Sequence, residues 1–215
     1  MDIYRLSNKP GFVITDLKLG VKNQDRVNVY VNDKFAFSLD VAQVVDFKIK
    51  KGLAVSEDRL LELKKASEYG KLYQRTLEWV LLRPHSESET RDYLRKKIFE
   101  KKLDKSYIDR IIEKLKTKKY LDDYRFAEWY VEYLTGKKNF SIKRIKMELR
   151  KKGIANDIVD ELLERTENYE AKKLSEIIAK KRSKYPDEKK LIAYLCRQGF
   201  DYQLVNELVR SSEMD

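Results

Sequence analysis

One pattern occurs three times in this chain, and it narrows the folds open to it. It reads Tyr93-Leu94-Arg95-Lys96-Lys97, then Glu148-Leu149-Arg150-Lys151-Lys152-Gly153-Ile154, then Tyr194-Leu195-Cys196-Arg197-Gln198-Gly199-Phe200. Apolar residues at helical spacing precede each copy, and a second amphipathic stretch follows it. After Leu149 the apolar positions are Ile154, Ile158 and Leu162; after Leu195 the same offsets give Phe200, Leu204 and Leu208. The first copy matches if an insertion of about five residues is placed around Glu100–Asp104, which brings Ile108 and Ile112 into line. That copy has Lys97-Ile98 where the other two carry glycine. Repeated helical units bury a core by stacking on their neighbours, so they build extended binding surfaces and seldom a catalytic pocket. The expectation is a scaffold or binding protein and not an enzyme.

Charge bears on the partner. Of 215 residues, 47 are Lys or Arg and 36 are Asp or Glu, a net charge of +11. That excess favours a polyanion, either nucleic acid or a nucleoprotein. The competing reading is a solvated helical surface of mixed charge. Apolar residues at 42% suffice for a core, and charged residues at 39% exceed the roughly 25% of ordinary globular chains, which together predict small helical modules rich in surface. Cys196 is the one cysteine, so an internal disulfide is excluded; its apolar neighbours place it as a small core residue. No signal-peptide pattern opens the chain, and runs such as Trp79-Val80-Leu81-Leu82 are too short to cross a bilayer. These features predict a cytoplasmic protein with no membrane partner.

The N-terminal part differs from the rest. Val27, Val29 and Val31 alternate with Asn28 and Tyr30, and Phe35, Phe37 and Leu39 with Ala36 and Ser38; Ile14 to Leu19 alternates less regularly. Period-two patterns of β-branched and aromatic residues predict three strands, with turns at Lys22-Asn23-Gln24-Asp25 and Asn32-Asp33. So small an antiparallel meander needs a helix to pack on. That helix is predicted to begin at Val41 and to end before Gly52, with Lys48, Lys50 and Lys51 near its negative end. Ser56 caps the next, which carries Leu60, Leu61 and Leu63.

The remainder reads as helix, so the predicted fold is mainly α. Tandem three-helix repeats in an elongated arrangement follow a small antiparallel β-meander with helices. The predicted boundaries are 1–68, 69–121, 122–170 and 171–215. In the first repeat, Leu72, Thr76, Trp79, Val80 and Leu82 lie on a helix stopped by Pro84. Ser86 with Glu89 has the capping-box pattern for the helix bearing Leu94, and Ser106 with Asp109 for the helix bearing Ile111 and Leu115. In the second, Asp122-Asp123 open a helix bearing Phe126, Trp129, Tyr130, Tyr133 and Leu134, which Gly136 ends. Ser141 starts the next helix and Gly153 ends it; Asn156 or Asp157 caps the third, which runs to Arg165. The last repeat runs from Ala171 to about Arg210, with turns at Lys180–Lys184 and Gly199 and a cap at Asp201.

Catalytic equipment is sparse. His85 is the single histidine and sits in the loop Arg83-Pro84-His85-Ser86; with one cysteine it makes no ordinary zinc site. No G-x-S-x-G occurs and the glycines do not cluster, so no catalytic, metal-binding or cofactor-binding residues are predicted. Asp122-Asp123 read as a helix start. The basic signal is stronger. On the helix Ser141–Lys152, Ile142, Ile145 and Leu149 form an apolar stripe. Lys143, Lys146 and Arg150 occupy an adjacent face, with Arg144, Lys151 and Lys152 around them and Met147 inside the arc. The equivalent helices offer Arg91, Arg95, Lys96 and Lys97 in the first repeat and Lys189, Lys190 and Arg197 in the third. A basic helix repeated in register suits phosphates or an acidic protein groove. Most aromatics fall at core spacing; Phe140, in Lys137-Lys138-Asn139-Phe140, is the best exposed candidate for base stacking.

Tyr120-Leu121-Asp122-Asp123, Phe126-Ala127, the run to Leu149-Arg150-Lys151-Lys152-Gly153-Ile154 and the following Asp157–Leu162 resemble the RecX regulatory proteins. The ending Tyr194–Phe200 is similar to that family's third repeat. Asp25-Arg26-Val27-Asn28-Val29-Tyr30 with Phe35-Ala36-Phe37 resembles the extended members of Gram-positive bacteria. The resemblance covers nearly the whole chain. It implies a non-enzymatic modulator of the recombinase RecA that lies in the groove of the RecA–DNA filament and restrains strand exchange and ATP hydrolysis. It implies no cofactor and no catalytic residue. The expected partner is the RecA nucleoprotein filament, bound by a monomer, with direct contact to single- or double-stranded DNA left open. The alternative is an autonomous nucleic-acid-binding protein built from helix-turn-helix-like repeats. The acidic third helix, with Asp157, Asp160, Glu161 and Glu164, argues against it.

Overall fold

In the computed structural model, which describes residues 11–21, 23–164 and 169–211, the alternating N-terminal segments form strands β1 (Phe12–Leu19), β2 (Arg26–Val31) and β3 (Lys34–Asp40). A fourth strand, β4 (Ala54–Val55), completes an antiparallel sheet of order β3-β2-β1-β4. It pairs through Phe12 with Val55 and Val13 with Ala54. Two residues are too few to leave a period-two signal, so the predicted three-stranded meander is one strand short. Asn32 and Asp33 both have positive φ, 48° and 64°, the turn that matches strand twist in a two-residue hairpin. Lys22, in the other predicted turn, lies outside the described residues. Ile14, Val29, Phe37 and Leu39 bury one face of the sheet together with Ile49, Val55, Leu60 and Leu63.

Helix α1 (Val41–Asp46) stops well before Gly52. Asp40 caps its start reciprocally with Gln43. At its end Lys48 takes a left-handed φ of 54°, and the Ile49 N–H returns to the Val44 carbonyl at 2.9 Å. The break turns Ile49 into the sheet core, where it is buried. Lys48, Lys50 and Lys51 therefore lie beyond the helix, Lys48 directly after its C-cap Phe47. Helix α2 (Glu57–Val80) starts at Ser56, whose Oγ accepts from the Arg59 N–H, and continues unbroken past residue 68.

The chain divides into two compact units. One runs to Glu78 and takes in Lys97–Tyr107; the other comprises Trp79–Lys96 and the chain from Ile108 onward. In the second unit, α5 (Asp123–Tyr133), α6 (Ile142–Lys151) and α7 (Asn156–Glu164) enclose Phe126, Leu134, Ile145, Leu149, Val159 and Leu163. Helices α8 (Tyr169–Lys181), α9 (Glu188–Arg197) and α10 (Tyr202–Ser211) enclose Leu174, Ile178, Leu191, Leu195, Val205 and Val209 in the same way. Asp122 and Asp187 cap α5 and α9, and the Asp201 carboxylate accepts from the Gln203 and Leu204 N–H groups of α10. Helix α7 begins at Asn156 itself, after Ala155, so neither Asn156 nor Asp157 is its cap. The expected end of that helix at Arg165 is outside the described residues. Gly136 does not end α5: the helix widens into a π turn over Leu134–Lys138 and closes at Asn139, φ 56°.

Two further helices, α3 (Glu87–Lys101) and α4 (Tyr107–Thr117), carry the first copy of the repeated pattern. Three equivalent turns define the repeat. Leu103, Ile154 and Phe200 each donate their N–H to the residue five before, Ile98, Leu149 and Leu195, and the preceding Lys102, Gly153 and Gly199 all have positive φ. The first copy is thus longer by four residues, one extra turn of α3, and not by five near Glu100–Asp104. Ile108 and Ile112 then match Val159 and Leu163. Lys102 holds the place of glycine, and the Asp104 carboxylate accepts the Ser106 N–H in the turn before α4.

Candidate interaction surface and the repeat junctions

Each repeat docks on the next through the start of its second helix. At the first junction Ser86 Oγ accepts the Glu89 N–H at 3.1 Å and donates to the Lys152 carbonyl at 2.8 Å. The Glu87 N–H donates to Asp123 Oδ1 at 2.7 Å. At the second, Ser141 Oγ accepts the Arg144 N–H, the Ser141 N–H donates to the Gln198 carbonyl at 3.1 Å, and the Ile142 N–H donates to Glu170 Oε1 at 3.2 Å. In both, a capping serine meets the turn that ends the next repeat's middle helix, and an acidic side chain from that repeat's first helix takes up a free helix-start N–H. Those turns are glycine for a steric reason as well as a conformational one. A Cβ on Gly153 would lie 2.6 Å from Ser88 Cβ, and one on Gly199 would lie 2.5 Å from Ser141 Oγ.

Ion pairs reinforce the first junction. Glu89 Oε1 binds Lys152 Nζ at 2.7 Å, while its Oε2 binds Arg83 at 3.1 Å and His85 Nδ1 at 3.3 Å. Burial works to raise the Glu89 pKa, but the hydrogen bonds from Lys152 and Arg83 outweigh it and hold the carboxyl below its usual range. Glu89 therefore closes an inter-repeat cluster with its side chain, while its N–H is capped by Ser86. Asp123 goes the other way: burial, with Glu87 nearby, raises its pKa despite the Glu87 N–H bond. His85 lies in the loop before α3, and the loop is buried there. It is 5% exposed, with its ring centroid 3.5 Å from that of Trp79, and burial followed by the Arg83 charge holds its pKa below the imidazole norm.

The predicted basic residues separate into two groups. Arg144 and Lys152 serve the junctions: the Arg144 guanidinium donates to the Arg197 carbonyl and covers the Phe140 ring at 4.0 Å, and Lys152 pairs with Glu89. Phe140 is accordingly half-buried against the core of its repeat, with its ring under Arg144. On the outer side of α6, Lys143, Arg150 and Lys151 are exposed, Lys146 is half-buried, and Met147 is 49% exposed. Lys146 pairs with Asp160 at 2.7 Å, Arg150 with Asn156 and Lys151 with Glu148. Arg95 and Lys96 are exposed on α3, Arg95 beside Asp92, and Lys97 pairs with Glu100. Lys189, Lys190 and Arg197 are exposed on α9. Among the described residues no cluster of His, Cys, Asp and Glu could hold a metal ion, and no helix is long and apolar enough to cross a membrane.

Three-helix repeats joined by capped junctions, with basic residues on their outer helices, define a tandem helical-repeat protein. Residues 12–56 match the regulatory protein RecX N-terminal domain, and residues 122–163 match the RecX second three-helix domain. The regulatory protein RecX of Clostridium acetobutylicum is 32% identical over 208 residues, covering 92% of this chain and 94% of the relative. That of Clostridium perfringens is 33% identical over 206 residues, with the same coverage of both. A crystal structure of a regulatory protein RecX superposes with a TM-score of 0.70 at 22% identity, covering 92% of this chain and 98% of that one. RecX from Lactobacillus salivarius gives 0.57 at 24% identity over 70% of this chain and 99% of that one. The chain belongs to the RecX family of regulatory proteins.

Proposed function

We propose that the chain regulates the RecA recombinase without catalysing a reaction, by binding the RecA–DNA filament and restraining strand exchange and ATP hydrolysis. The observation that carries this reading is the outward basic arc of α6, Lys143, Lys146, Arg150 and Lys151, in a repeat held on both sides by paired junctions. Exposed Arg95 and Lys96 on α3 and Lys189 and Lys190 on α9 offer further cations at related places. Contacts borne on linked repeats add through effective concentration, so weak single contacts suffice on a polymeric target. A direct helix-turn-helix reading of DNA is disfavoured, because α7 exposes Asp157, Asp160, Glu161 and Glu164 where phosphates would approach.

The test replaces Lys143, Lys146, Arg150 and Lys151 with Ala and measures filament binding and inhibition of RecA ATP hydrolysis across salt concentrations. Each phosphate contact on single strands contributes about 0.7 to the logarithmic salt slope, so four lost contacts flatten it by about 3. Contacts to protein carboxylates weaken binding with a smaller salt effect. A folded quadruple variant that inhibits normally removes α6 from the binding surface.

A further inference from the structure

A second cationic feature belongs to the other compact unit. In the unit that runs to Glu78 and includes Lys97–Tyr107, a cleft of about 120 Å³ is lined by Glu68, Lys71 and Arg75 of α2 and by Lys97 and Lys101 of α3. Leu72 and Leu103 supply its apolar lining. Lys71 and Arg75 are four residues apart on one wall, and Lys97 and Lys101 four apart on the other, about 6 Å along each helix axis. Like charges at that spacing repel and destabilise a helix. Lys71 registers the repulsion: burial first, then the charges of Arg26, Arg75 and Lys101, hold its pKa below the usual amine value, with Glu68 opposing. Glu100 answers Lys97 at 3.0 Å. Converging cations beside apolar side chains gain nothing from one another, and an anion between them relieves the repulsion.

We propose that this α2–α3 cleft binds the phosphodiester backbone of a nucleic-acid strand. Two pairs of cations spaced along facing helices match a chain of charges better than a single ion. A cleft of about 120 Å³ has room for phosphate groups of a strand whose sugars and bases stay outside it, and none for a folded acidic protein surface. Arg75 adds a planar fork suited to phosphate oxygens. The inference rests on the filament reading for its setting and deepens it, giving the regulator its own hold on nucleic acid at a place none of the α6 or α9 cations reaches in sequence.

The experiment titrates the full chain, with no recombinase present, against a short single-stranded oligonucleotide at several salt concentrations. The variant Lys71→Gln/Arg75→Gln/Lys101→Gln should bind more weakly, with a salt slope reduced by about 2, three contacts at roughly 0.7 each. Its melting temperature should not fall, since the change relieves repulsion. Lys101→Gln alone, at an exposed position, should reduce the slope by about 0.7. The control Lys34→Gln/Lys50→Gln/Lys51→Gln removes the same charge from exposed positions of the same unit and should leave the slope nearly unchanged. Equal losses in cleft and control variants, or a cleft variant that binds like the parent, overturn the proposal. So does equally tight, cleft-dependent binding of polyglutamate, which points to an acidic protein, or of inorganic phosphate at matched phosphate concentration, which points to a single anion. RecA is absent from the assay, so its failure leaves the filament reading standing, and normal filament inhibition by the cleft variant leaves the cleft result standing.

Discussion

Ser86 Oγ donates a hydrogen bond of 2.8 Å to the carbonyl of Lys152, a residue 66 positions away in the chain. The contact places the cap of one helix against the turn that closes another. Its counterpart, the Ser141 N–H on the Gln198 carbonyl, repeats the arrangement one unit later. The two junctions explain a sequence asymmetry. Gly153 and Gly199 face a serine from the preceding repeat, whereas Lys102 occupies the same turn and is exposed.

Gly153→Ala should destabilise the protein. The left-handed conformation costs a non-glycine residue about 1–2 kcal/mol, and the clash with Ser88 adds to it. Lys102→Gly should do the reverse by up to about 1 kcal/mol, because its turn carries the same positive φ without that crowding. Urea unfolding of both variants tests the pair; equal tolerance of Ala at 153 would mean the junction yields.

Lys152 and Glu89 should couple more strongly than an ordinary surface pair. The two side chains are 33% and 15% exposed and share Glu89 with Arg83. A double-mutant cycle of Lys152→Met with Glu89→Gln should give about 1–2 kcal/mol. The cycle for Lys151 and Glu148, whose lysine is 59% exposed, should give about 0.3–0.5 kcal/mol.

Acid should loosen the first junction in two stages. The folded pKa values of His85 and Glu89 both lie below their ordinary values, 6.5 and 4.5. The unfolded chain therefore binds more protons on acidification, and the stability these groups contribute is present above those values and lost as pH falls through and below them. The melting temperature should start to fall below about pH 6.5 and fall further below about pH 4.5. His85→Gln should remove the first stage and leave the second. An unaltered first stage in that variant would place its origin elsewhere.

Leu149→Ala should cost about 2–4 kcal/mol, since it empties the centre of the α5–α7 core. Met147→Ala, two residues away on the exposed side of the helix, should cost less than about 0.5 kcal/mol. Thermal melts of the two variants distinguish the buried face of α6 from its outer one.

The helical repeats and most caps were legible in the sequence because both are local. Leu149, Leu195 and their downstream partners share one spacing, and Ser141, Ser56 and Asp201 each satisfy N–H groups within three residues. The candidate surface was legible in outline for the same reason: helical periodicity alone puts Lys143, Lys146 and Arg150 on a face adjacent to Ile145 and Leu149. It did not show that Arg144 and Lys152 reach the junctions, because their partners Arg197 and Glu89 lie 53 and 63 residues away in the chain. The lack of glycine in the first copy was the one available sign of the junctions. Strand β4 was invisible because its two residues are extended only by pairing with β1, and α1 ended early because the sheet core draws in Ile49. Local periodicity and capping chemistry thus determined which segments are helix or strand and which side of each is apolar, as these depend on neighbours a few residues away. Tertiary structure decided which cations are spent on joining repeats and which face outward. That choice turns on where Glu89, Asp123, Glu170 and the turns at Gly153 and Gly199 arrive once the repeats have stacked.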